Sequence, residues 1–259
     1  MSIMRSSRRH HAKPTVPRGL RVYAVGDIHG CAHLLDELIA RIDADWRGRP
    51  AARKAIVFLG DYIDRGPDSA GVIDRLRALA ASWKGEAAFV MGNHEEVLVR
   101  ILDGETALLE DWLRFGGREC LLSYGADPDA LSSAAANERL EQIRAVVPQA
   151  HQRFLRDLVD TVRIGDYLFV HAGIRPGVDL RQQTQSDLRW IRAPFLDDEV
   201  SDHGVTVVHG HTIVDEVEWR RNRIGIDTGA YWSGRLTALV VEGEEQRLLS
   251  TEPAEIDVA

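Results

Sequence analysis

Three apolar runs, at residues 21–25, 55–59 and 87–91, each lead into a glycine followed by an oxygen-donor side chain. The three endings are Gly26-Asp27-Ile28-His29-Gly30, Gly60-Asp61-Tyr62-Ile63-Asp64-Arg65-Gly66 and Gly92-Asn93-His94-Glu95. Between the runs, Leu34, Leu35, Leu38, Ile39 and Ile42 recur at helical spacing. Val72, Ile73, Leu76 and Leu79 do so again behind Asp68-Ser69, a helix cap. A third helix restarts over 94–103, with Val97, Leu98 and Ile101. Strand–helix–strand–helix–strand order restricts the first half to a parallel sheet with right-handed crossovers. Ligands of open α/β sheets bind where loops leave the carboxyl ends of strands. Asp27, Asp61 and Asn93 are therefore predicted to face one crevice.

Two more segments of this kind, His171-Ala172-Gly173 and His209-Gly210-His211-Thr212, follow apolar runs at 167–170 and 205–208. Further short strands at 217–219, 223–226, 236–241 and 247–250 make the second half a mixed or antiparallel sheet. Residues 104–163 lose the strand rhythm and read as a helical insertion, with a helical stretch at 137–162 interrupted at Pro148. The expected fold is α/β: two stacked mixed β-sheets flanked by helices, with a two-metal site at the carboxyl ends of the strands. One domain is expected over 20–250, after a basic flexible leader at 1–19 and before a tail at 251–259.

The leader carries Arg5, Arg8, Arg9, Lys13 and Arg18 and no acid. No apolar stretch follows Arg8-Arg9, so a twin-arginine export signal is excluded. A net charge of -8 over 259 residues argues against a nucleic-acid partner. No segment approaches the ~20 apolar residues of a membrane helix. Cys31 and Cys120, without a secretory signal, are expected to stay reduced in a cytoplasmic protein. Monomer is the default expectation.

Carboxylate, amide and imidazole donors suit hard divalent cations, and one aspartate can bridge two of them. Two ions ~3.5–4 Å apart can clamp a phosphoryl group and activate a water between them. Singly, each motif could be a strand-end turn or a helix cap. All five in this order predict a phosphate-ester hydrolase.

These residues resemble the phosphoprotein phosphatase family of metallophosphoesterases, in particular its short bacterial and phage serine/threonine branch. Besides the five motifs, the resemblance rests on Trp190-Ile191-Arg192, Ile226-Asp227-Thr228-Gly229-Ala230 and the stretch from Gly116-Gly117 to Ser123-Tyr124-Gly125. It implies that Asp27 and His29 bind a first metal, that Asp61 bridges, and that Asn93, His171 and His211 complete the second. It implies His94 as the catalytic imidazole with Asp64 as its partner, and Arg65, Arg192 and Asn93 on the phosphate. Manganese is the expected ion, with iron and zinc as alternatives. His94 can also be derived as a general acid: it sits beside the metal residues, and a nearby carboxylate fixes its tautomer.

Arg189 competes with Arg192, which the Trp-Ile-Arg match favours. His209 is expected to pack behind the ligand His211. His10, His11, His33, His151 and His203 are expected to be surface or helix histidines. Glu95 and Glu96 read as helix-start acids favoured by the dipole, and Trp112, Phe115 and Tyr124 as the packed core of the insertion. Asp197, Asp198 and Glu199 read as a solvated loop. The expected activity is a metal-dependent serine/threonine protein phosphatase using a metal-bridging water. The alternative keeps the chemistry and changes the substrate, to diadenosine tetraphosphate or a related dinucleotide polyphosphate.

Overall fold

A computed structural model describes residues 13–129 and 135–252. Two five-stranded sheets stack face to face between helical layers. The first has the order β10-β9-β1-β2-β3, built from β1 (Leu20–Val25), β2 (Arg53–Phe58), β3 (Glu86–Phe89), β9 (Thr237–Glu242) and β10 (Glu245–Ser250). The second has the order β4-β5-β6-β8-β7, from β4 (Thr161–Ile164), β5 (Tyr167–Val170), β6 (Thr206–His209), β7 (Glu218–Trp219) and β8 (Arg223–Gly225). Strands β1, β2 and β3 are parallel, as are β5, β6 and β8.

The period-two alternation of each strand divides its side chains between two cores. On β1, Val22 and Ala24 face the second sheet, where they meet Tyr167, Phe169, Val208 and Ile224. Tyr23 and Val25 face outward under α1 (Ala32–Arg47), α2 (Ser69–Ser82) and α3 (Asn93–Leu102). Those helices supply Leu34, Leu35, Leu38 and Ile42, then Val72, Ile73 and Leu76, then Leu98 and Ile101. A third core covers the far side of the second sheet, with Leu168, Val170 and Val207 against Leu188, Ile191 and Phe195. Asp68 caps α2 as expected, its Oδ1 accepting the Gly71 N–H at 2.8 Å.

Two expectations need correction. The strands at 237–250 do not join the second sheet: β9 lies antiparallel beside β1, so the sequence-distant ends of the chain share one sheet. The helical stretch at 137–162 breaks at Pro148 as expected, into Ala136–Val146 and Gln149–Arg156, but it ends at Arg156 and strand β4 takes its last residues. Pro148 divides them because its fixed φ and missing N–H cannot continue a helix, and the β-branched Thr161-Val162 pair favours extension. Of the leader, Thr15 and Val16 are tied to the second sheet's end and to the β9–β10 turn through Asp166 and Gly243. Residues 1–12 and 253–259, with their share of the leader and tail, lie outside the described residues. Among the described residues no helix is long and apolar enough to cross a membrane.

Candidate metal centre

Every sequence-predicted ligand leaves the carboxyl end of a strand or starts the helix after it. Asp27 and His29 follow β1, Asp61 follows β2, Asn93 opens α3, His171 follows β5 and His211 follows β6. All six are buried or nearly so. Asp61 sits between two imidazole groups. Its Oδ2 is 3.5 Å from His29 Nε2 and 3.9 Å from His94 Nε2, and its Oδ1 is 3.4 Å from His171 Nε2. His171 Nε2 lies 2.9 Å from Asn93 Oδ1 and 3.2 Å from His211 Nδ1. Two donor clusters therefore share one carboxylate: His29, Asp61 and His94, and Asp61, His171 and His211.

The ring orientations suit cation binding. His29 Nδ1 is 2.9 Å from the Ile63 carbonyl and His171 Nδ1 is 2.8 Å from the Leu59 carbonyl. Only a protonated Nδ1 satisfies a carbonyl, so each Nε2 lone pair is turned to the cluster. Burial lowers the pKa of all three imidazoles, His29, His171 and His211, the last to about 3, with His171 adding to the shift. They are neutral, as a metal ligand must be. Burial alone would raise the Asp61 carboxyl, but the surrounding His171, His94, His29 and His211 hold it below the usual carboxylate range. Asp27 is pushed well up, first by burial and then by Asp227 and Asp61. Its Oδ2 accepts the His211 N–H at 3.0 Å, while its buried Oδ1 has no protein partner. A buried unpaired carboxylate oxygen beside hard donors is what a cation would satisfy. The donor set fits a pair of divalent ions.

Backbone geometry concentrates here. Among the described residues, the non-glycine positions with positive φ are His29, Asp61, Asp64, Arg65 and His211. Such conformations cost of order 1–3 kcal/mol each and persist where surrounding structure enforces them. Gly60 adopts φ +102°, and a Cβ there would lie 2.7 Å from the Gly92 nitrogen and 2.9 Å from His171 Nδ1. The close approach of the β2 and β3 loops thus requires glycine.

His94 stands beside this cluster. Its Nδ1 is 2.7 Å from Asp64 Oδ2, which also accepts the Trp112 indole N–H at 3.0 Å. Burial would lower its pKa, but the Asp61 and Asp64 carboxylates raise it to about 9. Burial raises Asp64, opposed by His94 and Trp112. The short contact with Asp64 fixes the His94 ring, with Nε2 directed at Asp61. Arg65 Nη1 is 3.0 Å from His29 Nε2, and Arg192 donates to Thr212 Oγ1 at 2.9 Å. Both arginines line a cavity of about 740 Å³ with Asp61, Asn93, His94 and His211. Arg189 does not reach it. That guanidinium is buried against Asp160, at 2.8 and 2.5 Å.

Several weaker expectations change. His151 is buried, its ring nitrogens 3.0 Å from the Tyr124 hydroxyl and 2.9 Å from Asp74. His203 is also largely covered, with its side chain 4% exposed, near Asn222. His209, by contrast, is packed as expected, against Phe195, and burial lowers its pKa to about 4. Asp198 caps the following turn through the Val200 and Ser201 N–H groups. The aromatic trio separates: Trp112 holds Asp64, Tyr124 holds His151, and Phe115 stands on the cavity wall.

Two residues that the sequence reading names without a role at the site belong to it. Glu95 is fully buried and accepts the N–H groups of Asp61 and Gly92 through Oε2, at 2.8 and 3.0 Å. Its Oε1 accepts those of Tyr62 and Ile63, at 2.7 and 3.2 Å. Burial, then the Asp61 charge, push its pKa up, against these four donors and His94. Asp227 is buried next to Asp27, and burial raises it to about 6. It too follows a parallel strand, β8, and that position could have given this residue of the Ile226–Ala230 match a place at the site.

Comparison with known proteins agrees with this geometry. A bis(5'-nucleosyl)-tetraphosphatase PrpE [asymmetrical] of Anoxybacillus flavithermus is 29% identical over 234 residues, covering 83% of this chain and 88% of the relative. The protein of the same name from Bacillus cereus is 30% identical over 237 residues, with the same coverage. A crystal structure of a candidate diadenosine tetraphosphatase superposes with a TM-score of 0.62 at 22% identity, covering 93% of this chain and 99% of its own. That likeness shows the shared fold. The expected serine/threonine phosphatase branch is not the one these relatives represent. The calcineurin-like phosphoesterase model matches residues 20–235, and the chain belongs to that family of metallophosphoesterases.

Proposed function

We propose that this enzyme hydrolyses a dinucleoside tetraphosphate, cleaving asymmetrically to a nucleoside triphosphate and a nucleoside monophosphate. The hydrolytic chemistry is supported by one observation above all, the single carboxylate Asp61 shared by two clusters of metal-donor side chains, with His29 on one side and His171 on the other. The substrate is supported by the names of the two bacterial relatives. Those names favour the alternative drawn from the sequence motifs over the protein-phosphatase expectation.

Asp27, His29 and Asp61 would hold one cation, and Asp61, Asn93, His171 and His211 the other. When bound, the cations supply charge neutralisation at the phosphoryl oxygens and make a water nucleophilic. Arg65 and Arg192 present guanidinium forks to the remaining phosphate oxygens. Asn93 reaches the same oxygens from the start of α3. His94 carries a proton at Nε2, Asp64 fixes the ring through Nδ1, and Trp112 fixes Asp64. His94 gives that proton to the departing oxygen, the step expected of a general acid.

The test is a product assay in added Mn²⁺, with diadenosine tetraphosphate and a phosphoserine peptide compared by kcat/KM. Appearance of ATP with AMP, and a preference for the dinucleotide, is the expected result. Faster release of phosphate from the peptide would return the protein-phosphatase assignment.

A further inference from the structure

Phosphate chemistry does not account for the whole cavity. Phe115, Trp190 and Tyr231 line it while remaining 60%, 42% and 38% exposed. Tyr231 is engaged from within, its ring 5.0 Å from the Arg65 guanidinium and edge-on to His29 at 5.3 Å. Phe115 and Trp190 present apolar surface to the opening, yet neither is loosely attached.

Phe115 sits at a kink in the insertion, where Gly116 adopts φ +120°. The Gly116 carbonyl accepts the Arg65 N–H at 3.1 Å. A Cβ at Gly116 would lie 2.6 Å from the Arg65 nitrogen, so the turn carrying the Phe115 ring is pressed onto the backbone of Arg65. Trp190 is fixed by its indole N–H, which donates to Glu96 at 3.0 Å. Two residues later comes Arg192. Phe115 is therefore built onto the support of Arg65, and Trp190 is held by Glu96 two residues before Arg192, so each exposed ring stands near one cavity arginine.

A flat apolar face beside a cationic fork matches a molecule that joins an aromatic base to a phosphate chain. A phosphoserine side chain offers no such ring. Building on the dinucleotide reading above, we propose that Phe115 and Trp190 are the nucleobase-binding rings of this enzyme, and that they set its preference for nucleotide over other phosphate esters. Stacking on a rigid ring tolerates every base, because each has a π-face. The site would then discriminate little between adenine and guanine.

The experiment compares kcat/KM for diadenosine tetraphosphate with that for glycerol 2-phosphate, which has no ring. In Phe115→Ala and Trp190→Ala the ratio of the two should fall ~5- to 150-fold, the range for losing one base–aromatic stack, mainly through KM. Phe115→Tyr and Trp190→Phe should keep the ratio within about threefold, because the ring survives. Trp190→Phe also lacks the indole N–H, so it separates a stacking role from a merely structural one. An unchanged ratio in the alanine variants, or loss in Trp190→Phe as deep as in Trp190→Ala, overturns the proposal. Wild-type enzyme inert toward the dinucleotide but active on glycerol 2-phosphate would instead overturn the substrate assignment on which it rests.

Discussion

Glu95→Gln exchanges one oxygen for an amide nitrogen at the support of the Asp61 loop. Four backbone N–H groups point at the Glu95 carboxylate, two at each oxygen. Whichever way the glutamine amide turns, two of those donors then face another N–H. A buried donor left without its acceptor costs about 1–3 kcal/mol, so the pair costs ~2–6 kcal/mol. That is a large share of the 5–15 kcal/mol by which domains of roughly this kind are stable. At roughly 2–4 °C per kcal/mol for a chain of about this length, a central value near 4 kcal/mol lowers Tm by ~8–16 °C. The loss should appear locally too, because Asp61 itself sits at φ +49° and depends on the held loop. Metal content after gel filtration, measured by elemental analysis, should fall with Tm. The control is Glu86→Gln, a carboxylate 72% exposed in a loose contact with Arg53, expected to change stability by under about 0.5 kcal/mol. A Glu95→Gln protein that melts within 2 °C of wild type (about the spread of a neutral substitution) and keeps its metals would show that these four hydrogen bonds do not hold the loop.

Three further outcomes are expected. His94→Asn should slow hydrolysis of alkyl phosphates by ~10²–10⁴-fold and of aryl phosphates by less, since a phenolate departs unaided; equal losses would remove the acid role. Asp61→Asn should reduce the metal content of both clusters together, and tight retention of two ions would show that the carboxylate is not shared. Asp45 accepts hydrogen bonds from Arg247, Tyr23 and Arg49, and although burial acts the other way, these hold its pKa below the usual carboxylate range. Stability from a depressed pKa is fully present above the unfolded value of about 3.9 and is lost as pH falls through the folded one. The stability gap between wild type and Asp45→Asn, measured by urea denaturation, should therefore be full at neutral pH and narrow below about pH 4. A constant gap would mean that the charge is not what matters.

The strand-end positions of Asp27, Asp61, Asn93, His171 and His211 were legible because period-two and helical spacings mark where each apolar run stops. The joining of β9 to β1 was not, since pairing between distant segments leaves no local mark in either strand. Glu95 was misjudged for a related reason. An acid in the first turn of a helix is ordinary by local rules, and only the tertiary fold brings the Asp61 loop over it. Phe115 was grouped with Trp112 and Tyr124 by proximity in sequence, but the kink at Gly116 turns it outward. The left-handed backbone at His29, Asp61, Asp64, Arg65 and His211 runs against the preferences of those residues. It is enforced by the surrounding chain, so propensity could not have announced it.

The pairing of β9 with β1 bears on biosynthesis. The neighbour that seals the other edge of β1 is translated only after β2 through β8. Until then the nascent polypeptide carries an open apolar strand, a state in which long-range β pairing is slow and exposed to aggregation. The Val16 amide already hydrogen-bonds Gly243 at 3.2 Å, which places the start of the domain beside the β9–β10 turn. A circular permutant opened within the helical insertion, with a linker long enough to run back from the end of β10 to the start of β1, would deliver β9, β10 and β1 in succession and shorten that vulnerable interval.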